Sequence, residues 1–297
     1  MPSPQHDAIA DAMASQASAV GGTTIEESRV GMEAMTAEAP MPEGANVMSV
    51  DAGGVPALDI RMPDSRDDRV VLYLHGGGYV IGSANTHRSL VARISRGSGA
   101  RCLSLDYRLA PEYPFPAAVD DALIGYRHLL TSGVEPSRIV IGGDSAGGGL
   151  TLATLLALRD AGDPLPAAGF CYSPWADLEG VGDSYTDPSI DDPMVELEGL
   201  RDMGRHYYAD TDPKHPLVAP IHADYAGVPP LLLFVGTREL LLDDSTRVAE
   251  RAKTAGVDVT LYVEEGLVHV WPFLGDDVPE AVKALEQTAE FIRKHVA

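Results

Sequence analysis

Lysine is nearly absent from this chain: Lys214, Lys253, Lys283 and Lys294 are the only four among 297 residues. Lys and Arg together number 22 against 44 Asp and Glu, a formal charge of −22. No Lys/Arg run gathers the few cations on one face, so the surface repels phosphate and nucleic acid is excluded as a partner. An anionic membrane is excluded on the same ground. Cysteine is equally scarce. Cys102 and Cys171 sit in apolar runs and read as buried strand residues, with neither a disulfide framework nor a metal-ligand spacing. No stretch approaches the ~18 apolar residues of a membrane helix. The opening MPSPQHDAIADA has no basic n-region and no apolar h-region, so no signal peptide is expected. A cytoplasmic protein is expected.

What is present is an ordinary globular mixture, 45% hydrophobic and 22% charged, which excludes disorder, collagen and coiled coil. The length suits one large domain or two small ones. Residues 5–40 carry apolar and small side chains at helical spacing (Ile9, Met13, Ala17, Val20, then Ile25, Val30, Met32, Met35), with a helix start at Thr23 or Thr24 ahead of Glu26-Glu27. Eight strand-like runs follow, at 47–50, 57–62, 70–74, 101–105, 138–141, 169–172, 231–235 and 259–263. The later ones are short, continuous and apolar, as strands buried on both faces are. Helical patterns at 86–97, 116–130, 147–161, 245–255 and 279–296 alternate with them. The reading is an α/β domain, with an eight-stranded, mostly parallel sheet flanked by helices.

Residues 180–220 break the alternation, with five prolines, many Asp and one short helical piece near 196–208. A long irregular stretch inside a domain usually serves as a lid. The expected division is N-terminal cap helices at 1–45, core at 46–180, a cap insertion at 181–220 and core again at 221–297.

The strongest chemical signal is Gly143-Asp144-Ser145-Ala146-Gly147, between the strand Arg138–Ile141 and a helical run. A sharp strand-to-helix turn holds its nucleophile at strained dihedrals and needs small neighbours two residues away on each side. The helix start behind Ser145 favours a developing oxyanion. A phosphate loop would need a different glycine spacing, which is missing. His75-Gly76-Gly77-Gly78-Tyr79 follows another strand. The amides of Gly77 and Gly78, with that of Ala146, can serve as oxyanion donors, and His75 reads as an anchor of the loop.

A serine hydroxyl needs a base, and the base an orienting acid. Of nine His, His269 follows the last strand at the right place, while His6 and His295 lie near the termini and His87, His128 and His206 in helical patterns. His215 and His222 lie in Pro-bounded segments and read as loop residues. Glu239 lies four residues past Val235, with Asp243 and Asp244 close by as alternatives that could instead cap the next helix. The order Ser145…Glu239…His269 is that of an α/β-hydrolase triad.

Four segments then resemble signatures of the hormone-sensitive-lipase branch of the α/β-hydrolases, the bacterial HGGG esterases. They are His75–Gly78, Asp106–Glu112, Pro114–Ala118 and Gly143–Gly148. The resemblance implies an α/β-hydrolase fold with a helical cap, an oxyanion hole of Gly77, Gly78 and Ala146, and no metal or cofactor. Many members carry Asp at the acid position, where this chain has Glu239 four residues before Asp243. Arg108, between carboxylates, is expected to hold its loop through a half-buried ion pair. Tyr79, Trp175, Tyr185 and residues 203–208 are candidate pocket liners.

The expected activity is hydrolysis of short- to medium-chain acyl esters through an acyl-enzyme. Lactone or amide hydrolysis are alternatives, followed by a non-catalytic ligand binder; a nucleotide-dependent enzyme lacks its fingerprint. A homodimer through an edge strand or the last helix is left open.

Overall fold

A computed structural model describes residues 1–17 and 24–296. Two helices come first, α1 (Pro4–Ala17) and α2 (Ile25–Ala37). Thr24 starts α2 with a reciprocal cap: Glu27 N–H donates to Thr24 Oγ1 at 3.2 Å, and the Glu27 carboxylate accepts from Thr24 N at 2.8 Å. Val20 and Thr23 lie outside the described residues.

The remaining elements alternate. β1 (Asn46–Asp51) and β2 (Pro56–Arg61) form a hairpin. There follow β3 (Arg66–Leu74), α3 (Arg88–Ser98), β4 (Ala100–Leu105), α4 (Ala117–Thr131), β5 (Ile139–Asp144), α5 (Ala146–Ala161) and β6 (Ala168–Tyr172). An irregular stretch then carries α6 (Leu197–Tyr208) before β7 (Leu231–Gly236), α7 (Leu242–Thr254), β8 (Val259–Glu264) and α8 (Pro279–His295). The sheet order is β1-β2-β4-β3-β5-β6-β7-β8. β2 runs antiparallel to both neighbours, and all pairings from β4 to β8 are parallel.

The central strands are buried on both faces, which explains their unbroken apolar sequence. Val70, Leu72 and Leu74 of β3 belong to the core that also takes in side chains of α4, α5 and α7, whereas Val71 and Tyr73 belong to the one that takes in those of α3 and α8. Each fully buried side chain of this kind contributes about 1.5–3 kcal/mol. The eight expected strands are all present. β3 begins four residues before the expected Val70, because its first residues are exposed and charged and so invisible to an apolar pattern. α7 begins at Leu242 rather than Ser245.

The segments that break the alternation sit near the sheet's carboxyl edge. Leu200 and Tyr207 of α6 join the core on the α5 side. From α2, the Arg29 guanidinium donates to Val80 O and Ala110 O, both at 2.9 Å, and forks onto the Glu112 carboxylate at 2.8 Å. Among the described residues no helix is long and apolar enough to cross a membrane.

Candidate active site

β5 ends at Asp144 and α5 begins at Ala146, so the chain reverses at Ser145, with φ 53° and ψ −120°. A non-glycine residue held there costs ~1–3 kcal/mol and needs firm support. Ser145 N–H donates to Tyr172 O at 2.8 Å, and Ser145 O accepts from Trp175 N at 2.9 Å and Gly149 N at 3.0 Å. The turn is tight enough to require glycine on both sides. A Cβ on Gly147 would lie 2.0 Å from Leu74 O, and one on Gly143 2.4 Å from the same oxygen.

Beneath the turn lies a polar cluster that sequence reasoning missed. Asp144 Oδ1 accepts from Tyr73 Oη at 2.7 Å and Gly76 N at 3.1 Å, while Oδ2 meets His87 Nε2 at 3.2 Å. Burial alone would raise the Asp144 carboxyl, but the His87 charge and the bonds from His87 and Tyr73 hold it below its ordinary range. This buried carboxylate therefore ties the His75–Gly78 loop to the serine turn. His75 is also buried; its Nδ1–H donates to Gly76 O at 2.7 Å, and its ring stacks on Tyr107 at 4.2 Å. Burial, with the nearby His87 charge, drops its pKa to about 3, so it is a neutral anchor.

The glycine loop turns on positive dihedrals at Gly77 (φ 113°) and Gly78 (φ 62°), with Gly77 O accepting from Val80 N and Ile81 N. At the start of α5 the Ala146 amide belongs to the first turn, whose N–H groups have no partner within the helix. Tyr79 stacks on Tyr207 of α6 at 3.7 Å, with Trp175 6.0 Å from Tyr79. Tyr185, the third candidate liner, is buried and donates to Asp244 Oδ1 at 2.9 Å.

His269 follows β8, and its Nε2 stands 2.9 Å from Ser145 Oγ. Its Nδ1 stands 2.9 Å from Glu239 Oε2, which makes Nδ1–H the donor and leaves the Nε2 lone pair facing the serine hydroxyl. Glu239 is 0% and His269 5% exposed. The other Glu239 oxygen accepts from Gly236 N at 2.6 Å and from Ser173 Oγ at 2.8 Å, a partner that sequence reasoning did not anticipate. Burial lowers the His269 pKa, but the hydrogen bond and charge of Glu239, assisted by Asp192 and Asp144, outweigh it and the net shift is upward. His6, expected only as a terminal residue, is buried and accepts from Val268 N at 3.2 Å.

One alternative is corrected. Asp243 and Asp244 do not cap α7: Leu241 occupies that position and both acids lie inside the first turn. Asp243 accepts from Ser184 N at 3.0 Å, and Asp244 Oδ2 accepts from Ala176 N and Asp177 N at 2.7 Å. Arg108 makes the expected half-buried ion pair, with a partner outside its own loop. It forks onto Asp121 of α4 with its side chain 44% exposed, because Glu112 is taken by Arg29 and Asp106 by Ala84 N.

A family profile described as an alpha/beta hydrolase fold matches residues 71–273. The chain belongs to the α/β-hydrolase family. Among solved structures, an esterase of the bacterial hormone-sensitive lipase family superposes with a TM-score of 0.96 at 45% identity, covering 100% of both chains. That likeness puts this α/β-hydrolase in the bacterial hormone-sensitive-lipase branch. An acetyl-hydrolase of Streptomyces hygroscopicus is 46% identical over 231 residues, 78% of this chain and 77% of the relative. An esterase of Acinetobacter venetianus is 34% identical over 253 residues, 85% and 83% of the two chains.

Proposed function

We propose that this α/β-hydrolase is a serine carboxylesterase that cleaves short- to medium-chain acyl esters through an acyl-enzyme. The observation that carries the reading is the continuous line from Ser145 Oγ to His269 Nε2 and from Nδ1 to Glu239, with both gaps 2.9 Å. Ser145 attacks the ester carbonyl while His269 takes its proton, and the buried Glu239 carboxylate holds the tautomer and stabilises the imidazolium. The amides of Gly77, Gly78 and Ala146 receive the oxyanion; losing one such donor costs ~10²–10³ in turnover. The alcohol departs with the His269 proton. Water, activated by the same imidazole, then releases the acid.

Residues 1–45 and 181–220 act in this reading as a two-part cap over the core formed by 46–180 and 221–297. A short acyl chain is supported by how little room the cap leaves at the glycine loop. A Cβ on Gly78 would lie 2.2 Å from the Met203 sulfur of α6, and the Tyr79–Tyr207 stack fills the space beside it. The name of the acetyl-hydrolase relative points the same way.

The test is a series of p-nitrophenyl esters (acetate, butyrate, octanoate, palmitate) hydrolysed by the wild-type protein and by Ser145→Ala. The shorter esters should turn over well and palmitate poorly, and Ser145→Ala should lose at least ~10⁴-fold in kcat. Preference for palmitate would remove the chain-length claim. Undiminished turnover by Ser145→Ala would remove the nucleophile.

A further inference from the structure

Asp192 lies between β6 and β7, ahead of α6, in the segment read above as cap. Its Oδ1 accepts from its own loop, Met194 N at 2.9 Å and Val195 N at 3.1 Å. Its Oδ2 reaches across and accepts from the amide of Leu240 at 3.1 Å. Leu240 directly follows Glu239. The neighbouring acids behave differently. Asp191 is 93% exposed against Arg238, and Asp187 binds Ser189 in its own exposed turn.

We propose that Asp192 is a positioning residue for the hydrolysis: it pins the loop that carries Glu239 and sets a second negative charge beside the His269 imidazolium formed when Ser145 attacks. The proposal rests on the triad reading above. It gives the cap a part in the chemistry, because the charge arrives from the cap and not from the core.

The groups that face His269 can be named element by element. Glu239 comes from the β7 loop, Asp192 from the cap and Asp144 from the end of β5. Asp144 is bonded to His87 and Tyr73. From α1, His6 holds the backbone of Val268. Around Asp192 itself, burial pushes the carboxyl upward, as does the Glu239 charge, while the His269 charge pulls it down. The attraction is mutual, and between partly buried groups it is screened much less than at the surface. Removing the Asp192 charge therefore favours neutral His269 and disfavours the imidazolium.

The experiment compares wild type, Asp192→Asn and the exposed control Asp191→Asn. It records kcat, KM and the pH profile of kcat/KM on p-nitrophenyl butyrate, together with an NMR titration of the His269 Nδ1 proton. Asp192→Asn should lower kcat roughly tenfold with KM nearly unchanged. Its acid midpoint and the NMR midpoint should both fall by about half a pH unit. Asp191→Asn should leave all of these at wild-type values. An Asp192→Asn imidazole that titrates at the wild-type pH overturns the proposal, whether or not the variant has lost stability. A wild-type Ser145 that resists a fluorophosphonate instead brings down the triad reading, and this proposal with it.

Discussion

Ser173 Oγ joins the two loops of the site: it donates to Glu239 Oε1 at 2.8 Å and accepts from the amide of Val270, the residue after His269, at 3.1 Å. One hydroxyl thus sets the spacing between acid and base. Ser173→Ala leaves the buried Val270 N–H unpaired, at a cost of about 1–3 kcal/mol. It also removes one of the two hydrogen bonds to Glu239 Oε1, leaving only that from Gly236 N. Thermal unfolding should show the loss of stability, and steady-state kinetics should show kcat down roughly tenfold with KM little changed. A variant as active as wild type would mean that the two loops hold their spacing without the hydroxyl.

Glu239, not Asp243, faces the imidazole, so amide substitution separates the two acids. Glu239→Gln should reduce kcat by ~10²–10⁴, as expected when the orienting carboxylate of a triad is lost. Asp243→Asn, which touches Ser184 instead, should stay within a few-fold of wild type. The same pair tests the pH dependence. The base must be neutral to act, and Glu239 raises the His269 pKa above the ordinary 6.5. Activity should therefore fade on the acid side at a midpoint above 6.5 in the wild type, and that midpoint should drop in Glu239→Gln. A collapse in Asp243→Asn alone would reverse the assignment.

Asp244 offers a test through stability. Burial, reinforced by the Asp177 charge, lifts its pKa from 3.8 to about 8. Between those values the folded protein holds a proton that the unfolded chain releases, so this residue's contribution falls as pH rises from about 4 toward 8. Asn is nearly isosteric, can accept from Ala176 N and Asp177 N through one oxygen, and can donate to Tyr185 Oη. Asp244→Asn should melt higher than wild type at pH 9, and the gap should close as the pH is lowered toward about 4. For a domain of this size each kcal/mol is worth about 2–4 °C. Parallel pH slopes for the two proteins would contradict the assignment.

The sheet was legible because its central strands are buried on both faces and show as bare apolar runs, and the turn at Ser145 because tight backbone packing demands glycine at 143 and 147. The loop that sets Glu239 against His269 was legible from its distance past Val235. What escaped notice was polar and long-range. Asp144, His87 and Tyr73 meet beneath the serine turn from three separate segments, and nothing periodic marks them. Ser173 and His6 escaped for the same reason, since each acts through one backbone amide far away in the chain. The Arg108 ion pair was legible but its partner was not, since Asp121 lies a helical turn into α4, whereas the nearer carboxylates already had other donors. The charged opening of β3 shows the complementary failure, a strand without an apolar face.

The central claim is that Ser145 is made nucleophilic by His269, and a covalent label tests it most directly. Wild type, Ser145→Ala and His269→Ala are exposed to a fluorophosphonate and followed by intact mass and peptide mapping. Wild type should gain a single adduct on Ser145, Ser145→Ala none, and His269→Ala should react at least ~10³-fold more slowly. An adduct on Ser173, or equal labelling of Ser145→Ala, would contradict the account.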